Sequence, residues 1–77
     1  MADERAPTPA EAVEWIESFA RRLELEPPDA DTVATLLELA GVAAHASHRS
    51  AAPIACWLVG QAGLDAPAAL DLARSVT

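Results

Sequence analysis

The sequence of 77 residues lacks lysine and contains a single cysteine, and these shortages exclude several classes of protein. One cysteine cannot form an internal disulfide, so packing alone must stabilise the fold. Five arginines are scattered among twelve carboxylates, at a formal net charge of -7, and they form no basic patch for nucleic acid. No apolar run approaches the roughly 20 residues that cross a bilayer, and the charged N-terminus lacks the apolar segment of a secretory signal. We therefore expect a cytoplasmic protein that binds neither nucleic acid nor membrane.

Hydrophobic residues are abundant, at 52% of the chain, and nineteen of them are alanine. This content argues against intrinsic disorder, and the length allows only one domain. Alternating strand patterns and Asn-Gly turns are both missing, so the sequence predicts an all-α fold, a compact bundle of four short helices. The predicted helices span about 9–25, 31–47, 51–62 and 66–76. Residues 1–7 are predicted to be a flexible tail, and residues 8–77 a single helical domain.

Capping residues mark the predicted helix ends. The N-terminal caps are Thr8, in a capping box with Glu11, then Asp29 or Asp31, and Asp65. Pro9 suits the first position of helix 1. The predicted stops are Pro27-Pro28 for helix 1 and Gly63 for helix 3.

Apolar side chains at helical spacing predict which faces are buried. The expected inward residues are Ala12, Ile16, Phe19, Ala20 and Leu23 in helix 1, Val33, Leu36, Leu37, Ala40 and Ala44 in helix 2 (with Leu39 at the border), and Leu64, Ala68, Ala69, Leu72 and Val76 in helix 4. Gly41 inside helix 2 is consistent with a close helix crossing or with chance.

Helix 3 is unusual because residues 51–60 contain no charged side chain. A helix that is apolar on all sides is normally buried on all sides, yet three short neighbours can hardly surround it. Part of its surface is therefore covered by the chain ends or offered to a partner, with Ile54, Trp57 and Gln61 as interface candidates. Tryptophan is frequent at binding hot spots, although core packing is the default interpretation for Trp15 and Trp57. The burial of Trp57 stays open, because helix 3 has more apolar surface than three neighbours can cover.

Reactive groups are few. Cys56 has apolar neighbours and is interpreted as a small core side chain. His45 and His48 are spaced i, i+3, but two imidazoles do not make the three or four ligands that zinc requires. No paired acids in an apolar pocket and no Ser-His-Asp set occur, so we expect no enzymatic activity and no cofactor.

The junction between helices 2 and 3 is the candidate binding site, through His45, His48, Arg49 and Ser50. A helix N-terminus with free amides at Ala51 and Ala52, next to an arginine, can bind phosphate or carboxylate. The alternative is that Ser50 only caps the helix and that Arg49 pairs with an acid. Glu38 and Asp65 are the candidate acids for that pair.

Several segments between residues 12 and 63 carry a resemblance to known sequences. The most specific are Ala44-His45 and Arg49-Ser50-Ala51-Ala52-Pro53-Ile54, and the others are Trp15-Ile16-Glu17, Leu23-Glu24-Leu25, Leu36-Leu37-Glu38-Leu39-Ala40 and Leu58-Val59-Gly60. On these segments, which cover most of residues 12–63, the chain resembles a family of small, uncharacterised helical domains from actinobacteria. Members of that family occur alone or fused behind a molybdenum cofactor guanylyltransferase. The resemblance implies an accessory role in molybdenum cofactor maturation, without transferase activity, and His45, Arg49 and Pro53 are the matching positions if that segment is functional.

These observations lead to one functional hypothesis and one alternative. The first is a non-enzymatic interaction module that binds a protein, either a second copy or a molybdenum cofactor guanylyltransferase, through helix 3 and the junction. Small scaffolds with marginal cores often gain stability from such a partner. The alternative is a small anion-binding or nucleotide-binding domain around Arg49.

Overall fold

Four α-helices make up 76% of residues 9–76, the part of the chain that the computed structural model describes. They are α1 (Ala10–Arg22), α2 (Ala30–Ala46), α3 (Ala51–Ala62) and α4 (Ala66–Ser75). No strand occurs within this part, so the predicted all-α bundle is confirmed. The predicted tail at 1–7 and the predicted Thr8 cap lie outside the described residues.

Two aspartates begin helices as predicted. The Thr32 amide donates to Asp29 Oδ1 at 2.8 Å at the start of α2, and the Ala68 amide donates to Asp65 Oδ1 at 2.9 Å at the start of α4. Hydrogen bonds from the Thr32 backbone and side chain lower the pKa of Asp29, since both favour the ionised carboxylate. Gly63 ends α3 in the left-handed region, at φ 71°, where a residue without Cβ is least strained.

Helix α1 is shorter than predicted at both ends. Pro9 occupies the N-cap position and not the first helical position. The helix stops at Arg22, well before Pro27-Pro28, because the backbone turns into a left-handed cap. The Leu25 amide donates to the Ala20 carbonyl at 2.9 Å.

Glu24 closes this cap with its own backbone. Its amide donates to the Arg21 carbonyl at 3.0 Å, and its φ is 62°. The pattern is a Schellman motif, in which glycine is usual at the left-handed position. Because glutamate is not typical of this position, the sequence does not predict that the helix ends here.

The core lies where α2 packs against both α3 and α4. Leu39, Ala69 and Leu70 are its buried side chains, and Leu39 is only 1% exposed. The half-buried side chains around them are Val42, Ala55, Cys56, Val59 and Ala73. This core is small, because its buried centre consists of one side chain from α2 and two from α4.

The buried faces of α2 and α4 differ from those predicted. Leu39 is buried while Leu37 is 52% exposed, and Leu70 is buried while Leu72 is exposed. Leu64 and Val76 are exposed as well. The helix α2 is apolar on most sides, so its periodicity does not single out one face. In α4 the alanines at 66 and 69 are buried beside Leu70, and these small side chains allow close approach of the helices.

The apolar stripe of helix α1 is only partly buried. Its acidic first turn and basic last turn are as predicted, but Ala20 is its one buried residue. Phe19 and Leu23 of the predicted inward stripe are exposed, while Ala12 and Ile16 are half-buried. The stripe exists, therefore, but two of its five residues are exposed.

Gly41 does not mark a close helix crossing. A Cβ built on this residue would have no neighbouring heavy atom within 4 Å. The expectation of close backbone approach is wrong, and nothing around Gly41 requires glycine.

Candidate functional site

The junction between α2 and α3 is held by a local network around His48. The Ser50 amide donates to His48 Nδ1 at 3.1 Å, and the Ser50 hydroxyl lies 3.0 Å from the same nitrogen. Because Nδ1 accepts from the amide, the proton of the neutral ring is on Nε2. Ser50 has helical backbone angles, and its side chain makes no capping hydrogen bond to α3, so the expectation that Ser50 caps this helix is wrong.

The amides at the start of α3 are already bonded. The Ala51 amide donates to the His48 carbonyl at 2.8 Å, and the Ala52 amide donates to the Arg49 carbonyl at 3.1 Å. Pro53, the next residue, has no N–H to offer. The premise of an anion site with free amides at 51 and 52 is therefore not met.

The charged members of the junction are solvent-exposed and apart from the acids proposed for them. His45, His48, Arg49 and Ser50 are all exposed. Glu38 forms an ion pair with Arg74 across α2 and α4, and Asp65 is engaged as the cap of α4. Among residues 9–76 no ion pair of Arg49 occurs, so the expected pairing with Glu38 or Asp65 is not found.

Cys56 packs as predicted. It is half-buried against the core cluster, and desolvation raises the pKa of its thiol. A thiol with a raised pKa is protonated at neutral pH and is a poor nucleophile. Among residues 9–76, no group of three or more histidine, cysteine or acidic side chains could hold a metal ion.

The interface candidates of α3 lie together on one exposed side. Ile54, Trp57 and Gln61, spaced i, i+3 and i+7, share one face of the helix, which we name the outer face of α3. Ile54 is 60% exposed and Trp57 is 61% exposed. The default expectation that Trp57 packs in the core is wrong. The prediction that α3 has more apolar surface than its neighbouring helices can bury is confirmed for this face.

A second apolar surface, which sequence reasoning missed, is an open groove of about 470 Å³ between α2, α3 and α4. We name it the apolar groove. Its lining residues are Leu39, Val42, Ala43, Ala46, Ser47, Ala51, Ala55, Leu58, Val59, Ala62, Leu64, Ala69, Leu72, Ala73 and Val76. Apart from Ser47, the lining is made of apolar side chains.

A third apolar surface is a ridge on α1. Trp15, Phe19 and Leu23 are spaced i, i+4 and i+8 and are all exposed, with Trp15 at 64%. The rings of Trp15 and Phe19 are 5.0 Å apart at their centroids. We name these three residues the α1 ridge. The expectation of core packing for Trp15 is wrong, although the strong amphipathic pattern of this helix did identify its apolar side.

No helix within residues 9–76 has the length and apolar character that a membrane span requires.

Comparison with known proteins bears on the family of the chain and not on its activity. No curated protein and no solved structure matches the sequence. The family described as Domain of unknown function (DUF6457) matches residues 7–77, which is nearly the whole chain. The chain therefore belongs to this family of uncharacterised domains.

Proposed function

We propose that the chain is a non-enzymatic, cytoplasmic interaction module that binds a protein through the outer face of α3. The observation that carries this proposal is the exposure of Trp57 beside Ile54, on a helix without a charged residue. Neighbouring apolar side chains exposed on a small protein commonly mark a contact surface.

The energetics of this face favour association. Burying a side chain such as Ile or Trp from water contributes about 1.5–3 kcal/mol. Because α3 carries no charge, a partner that covers Ile54 and Trp57 does not have to desolvate an ionised group on this helix. The Gln61 amide at the end of the face can supply a hydrogen bond that orients the partner.

The non-enzymatic part of the proposal rests on the chemistry of the described residues. The Cys56 thiol has a raised pKa, and His48 Nδ1 accepts hydrogen bonds from its own loop. An active site requires a nucleophile or base within hydrogen-bond reach of an orienting group and beside a substrate pocket. The apolar groove, a large concave surface among residues 9–76, is lined almost wholly by apolar side chains.

We propose a molybdenum cofactor guanylyltransferase of the same organism as the partner. The support is the resemblance of residues 12–63 to actinobacterial domains that occur alone or fused behind that enzyme. A domain that is fused in some organisms and separate in others is expected to bind the same enzyme without a covalent link. The chain would then act as an accessory module in cofactor maturation.

The test is a calorimetric titration of the full chain into that guanylyltransferase. Trp57→Ser removes the centre of the outer face, and Trp15→Ser is a matched control, since Trp15 is equally exposed but lies on α1. We expect Trp57→Ser to weaken binding about 30-fold or more, from the loss of roughly 2 kcal/mol or more, and Trp15→Ser to leave it unchanged. Absence of binding by the wild-type chain, or an equal effect of both substitutions, would contradict the proposal.

A further inference from the structure

Two of the three apolar surfaces differ in kind. The apolar groove is concave and is bounded by α2, α3 and α4, whereas the α1 ridge is a row of the exposed side chains Trp15, Phe19 and Leu23. We propose that the apolar groove of one chain binds the α1 ridge of a second copy. With a two-fold axis between the copies, each groove receives the ridge of the other copy, so that the dimer contains two identical contacts.

The dimensions of the two surfaces agree. From Trp15 to Leu23 the ridge extends about 12 Å, at about 1.5 Å per residue. The groove follows α3 from Ala51 to Ala62, a distance of about 17 Å by the same rise. Amphipathic helices bind apolar grooves through anchors on one helix face, typically spaced i, i+3, i+4 and i+7, and the i, i+4, i+8 spacing of the ridge also keeps its three side chains near one face.

The charges favour this pairing over other contacts between two copies. Each chain has a formal net charge of -7, so two copies repel unless they meet where one of them carries no carboxylate. Residues 39–64, which supply most of the groove, contain no aspartate or glutamate, and their charged or titratable basic residues are His45, His48 and Arg49. Residues 10–26, which carry the ridge, contain five glutamates and two arginines. The acidic helix is thus complementary to the one long stretch without acids.

The groove of the same chain is not the position that α1 takes. None of the residues that line the groove belongs to α1, and the ridge is exposed while Ala20 on the neighbouring side of the helix is buried. The Schellman cap at Glu24 and the rigid Pro27-Pro28 then direct the chain into the start of α2. The groove lies along the opposite, C-terminal half of α2, beginning at Leu39.

The proposed dimer leaves the outer face of α3 accessible, so this inference is independent of the proposed function. The groove is lined by Ala55, Leu58 and Ala62 of α3. Trp57 and Gln61 lie on a different side of the same helix, about a third of a turn away at 100° per residue. Binding of the enzyme and formation of the dimer are therefore separate measurements.

Sedimentation velocity of the full chain across a range of micromolar concentrations tests the dimer. Phe19→Glu places a charge in the ridge, and Leu72→Glu places one in the groove. Leu37→Glu is the matched control, because Leu37 is a comparably exposed leucine outside both surfaces. All three positions are between 49% and 58% exposed, so the variants are expected to fold, which circular dichroism checks.

We expect a wild-type dimer whose dissociation constant rises about 100-fold or more in either variant, since each substitution removes two buried apolar side chains per dimer. Leu37→Glu should dimerise as the wild type does. A mixture of the Phe19→Glu and Leu72→Glu chains should recover a weakened heterodimer, because one ridge and one groove are then intact. A wild-type chain that stays monomeric, a dimer that tolerates both substitutions, or a dimer broken by Trp57→Ser instead would overturn the inference.

Discussion

The three helices α2, α3 and α4 pack around a common core, whereas α1 has one buried residue, Ala20. Leu39 in the first region is 1% exposed, while the aromatic Phe19 in the second is 49% exposed. Phe19 belongs to a clear apolar stripe of an amphipathic helix, whereas Leu39 lies on a helix that is apolar on most sides. The difference teaches that periodicity identifies an apolar face, whereas burial depends on whether another element lies opposite it.

The largest expected effect is the loss of the Leu39 side chain. Leu39→Ala should lower the free energy of unfolding by about 2–5 kcal/mol, because it leaves a cavity at the centre of a small core. Leu37→Ala, two residues away on the same helix, should change it by no more than about 0.5 kcal/mol, since that side chain is half exposed. Urea denaturation followed by circular dichroism measures both, and similar effects at the two positions would abolish the distinction between buried and exposed faces of α2.

A smaller, stabilising effect is expected at Gly41 within the core region. Gly41→Ala should raise the free energy of unfolding by about 1 kcal/mol, since the new methyl group has open space and alanine favours the helix. Gly63→Ala is the matched control with the opposite sign, because φ 71° strains any residue with a Cβ. The same denaturation experiment checks the pair. Destabilisation by Gly41→Ala would indicate a close contact that the bundle does not contain.

In α1, substitution of Glu24 by glycine should stabilise the C-terminal cap. Glu24→Gly relieves the left-handed strain at φ 62° and should stabilise the end of α1 by up to about 1 kcal/mol. Hydrogen exchange of the Leu25 amide, which donates to the Ala20 carbonyl, is the local measurement. Faster exchange of that amide in the variant would show that the Schellman cap does not form.

The pH dependence of stability should include a contribution from the cap of α2. Hydrogen bonds from Thr32 lower the pKa of Asp29 in the folded chain, so folding favours the carboxylate. This contribution is complete above the unfolded pKa of about 3.9 and is lost as the pH falls through the lower folded value. We expect the melting temperatures of the wild type and of Asp29→Asn to converge as the pH falls from neutral to acidic and the Asp29 carboxylate is protonated. A difference between the two melting temperatures that stays constant with pH would refute this role of Asp29.

The smallest expected effect concerns the junction around Arg49. Because the Ala51 and Ala52 amides already donate to carbonyls, inorganic phosphate or guanine nucleotides should leave the melting temperature unchanged. A ligand that binds only the native chain must raise it. A rise that Arg49→Ala abolishes would restore the anion-binding alternative.

The sequence predicted the number and the positions of the helices well, because local chemistry decides them. Asp29, Asp65 and Gly63 act at helix ends through their own side chains or backbone freedom, and this requires no knowledge of the fold. The end of α1 was missed because a glutamate at position 24 takes the conformation that glycine usually marks.

The faces and the sites were predicted less well, because they depend on packing between helices. In α2 both Leu37 and Leu39 are apolar, and only the placement of α3 and α4 buries the second one. At the junction, the helical backbone of Ser50 turns its side chain toward His48 and away from a capping position. The sequence did predict that part of α3 would be exposed, since three short helices are too few to cover it.

The most direct test of the protein-interaction account is the heat-capacity change of association with the guanylyltransferase, measured by calorimetry at several temperatures. Burial of apolar surface makes this change negative. We predict a clearly negative value for the wild-type chain and a smaller one for Trp57→Ser. A value near zero, or one that Trp57→Ser leaves unaltered, would contradict the account.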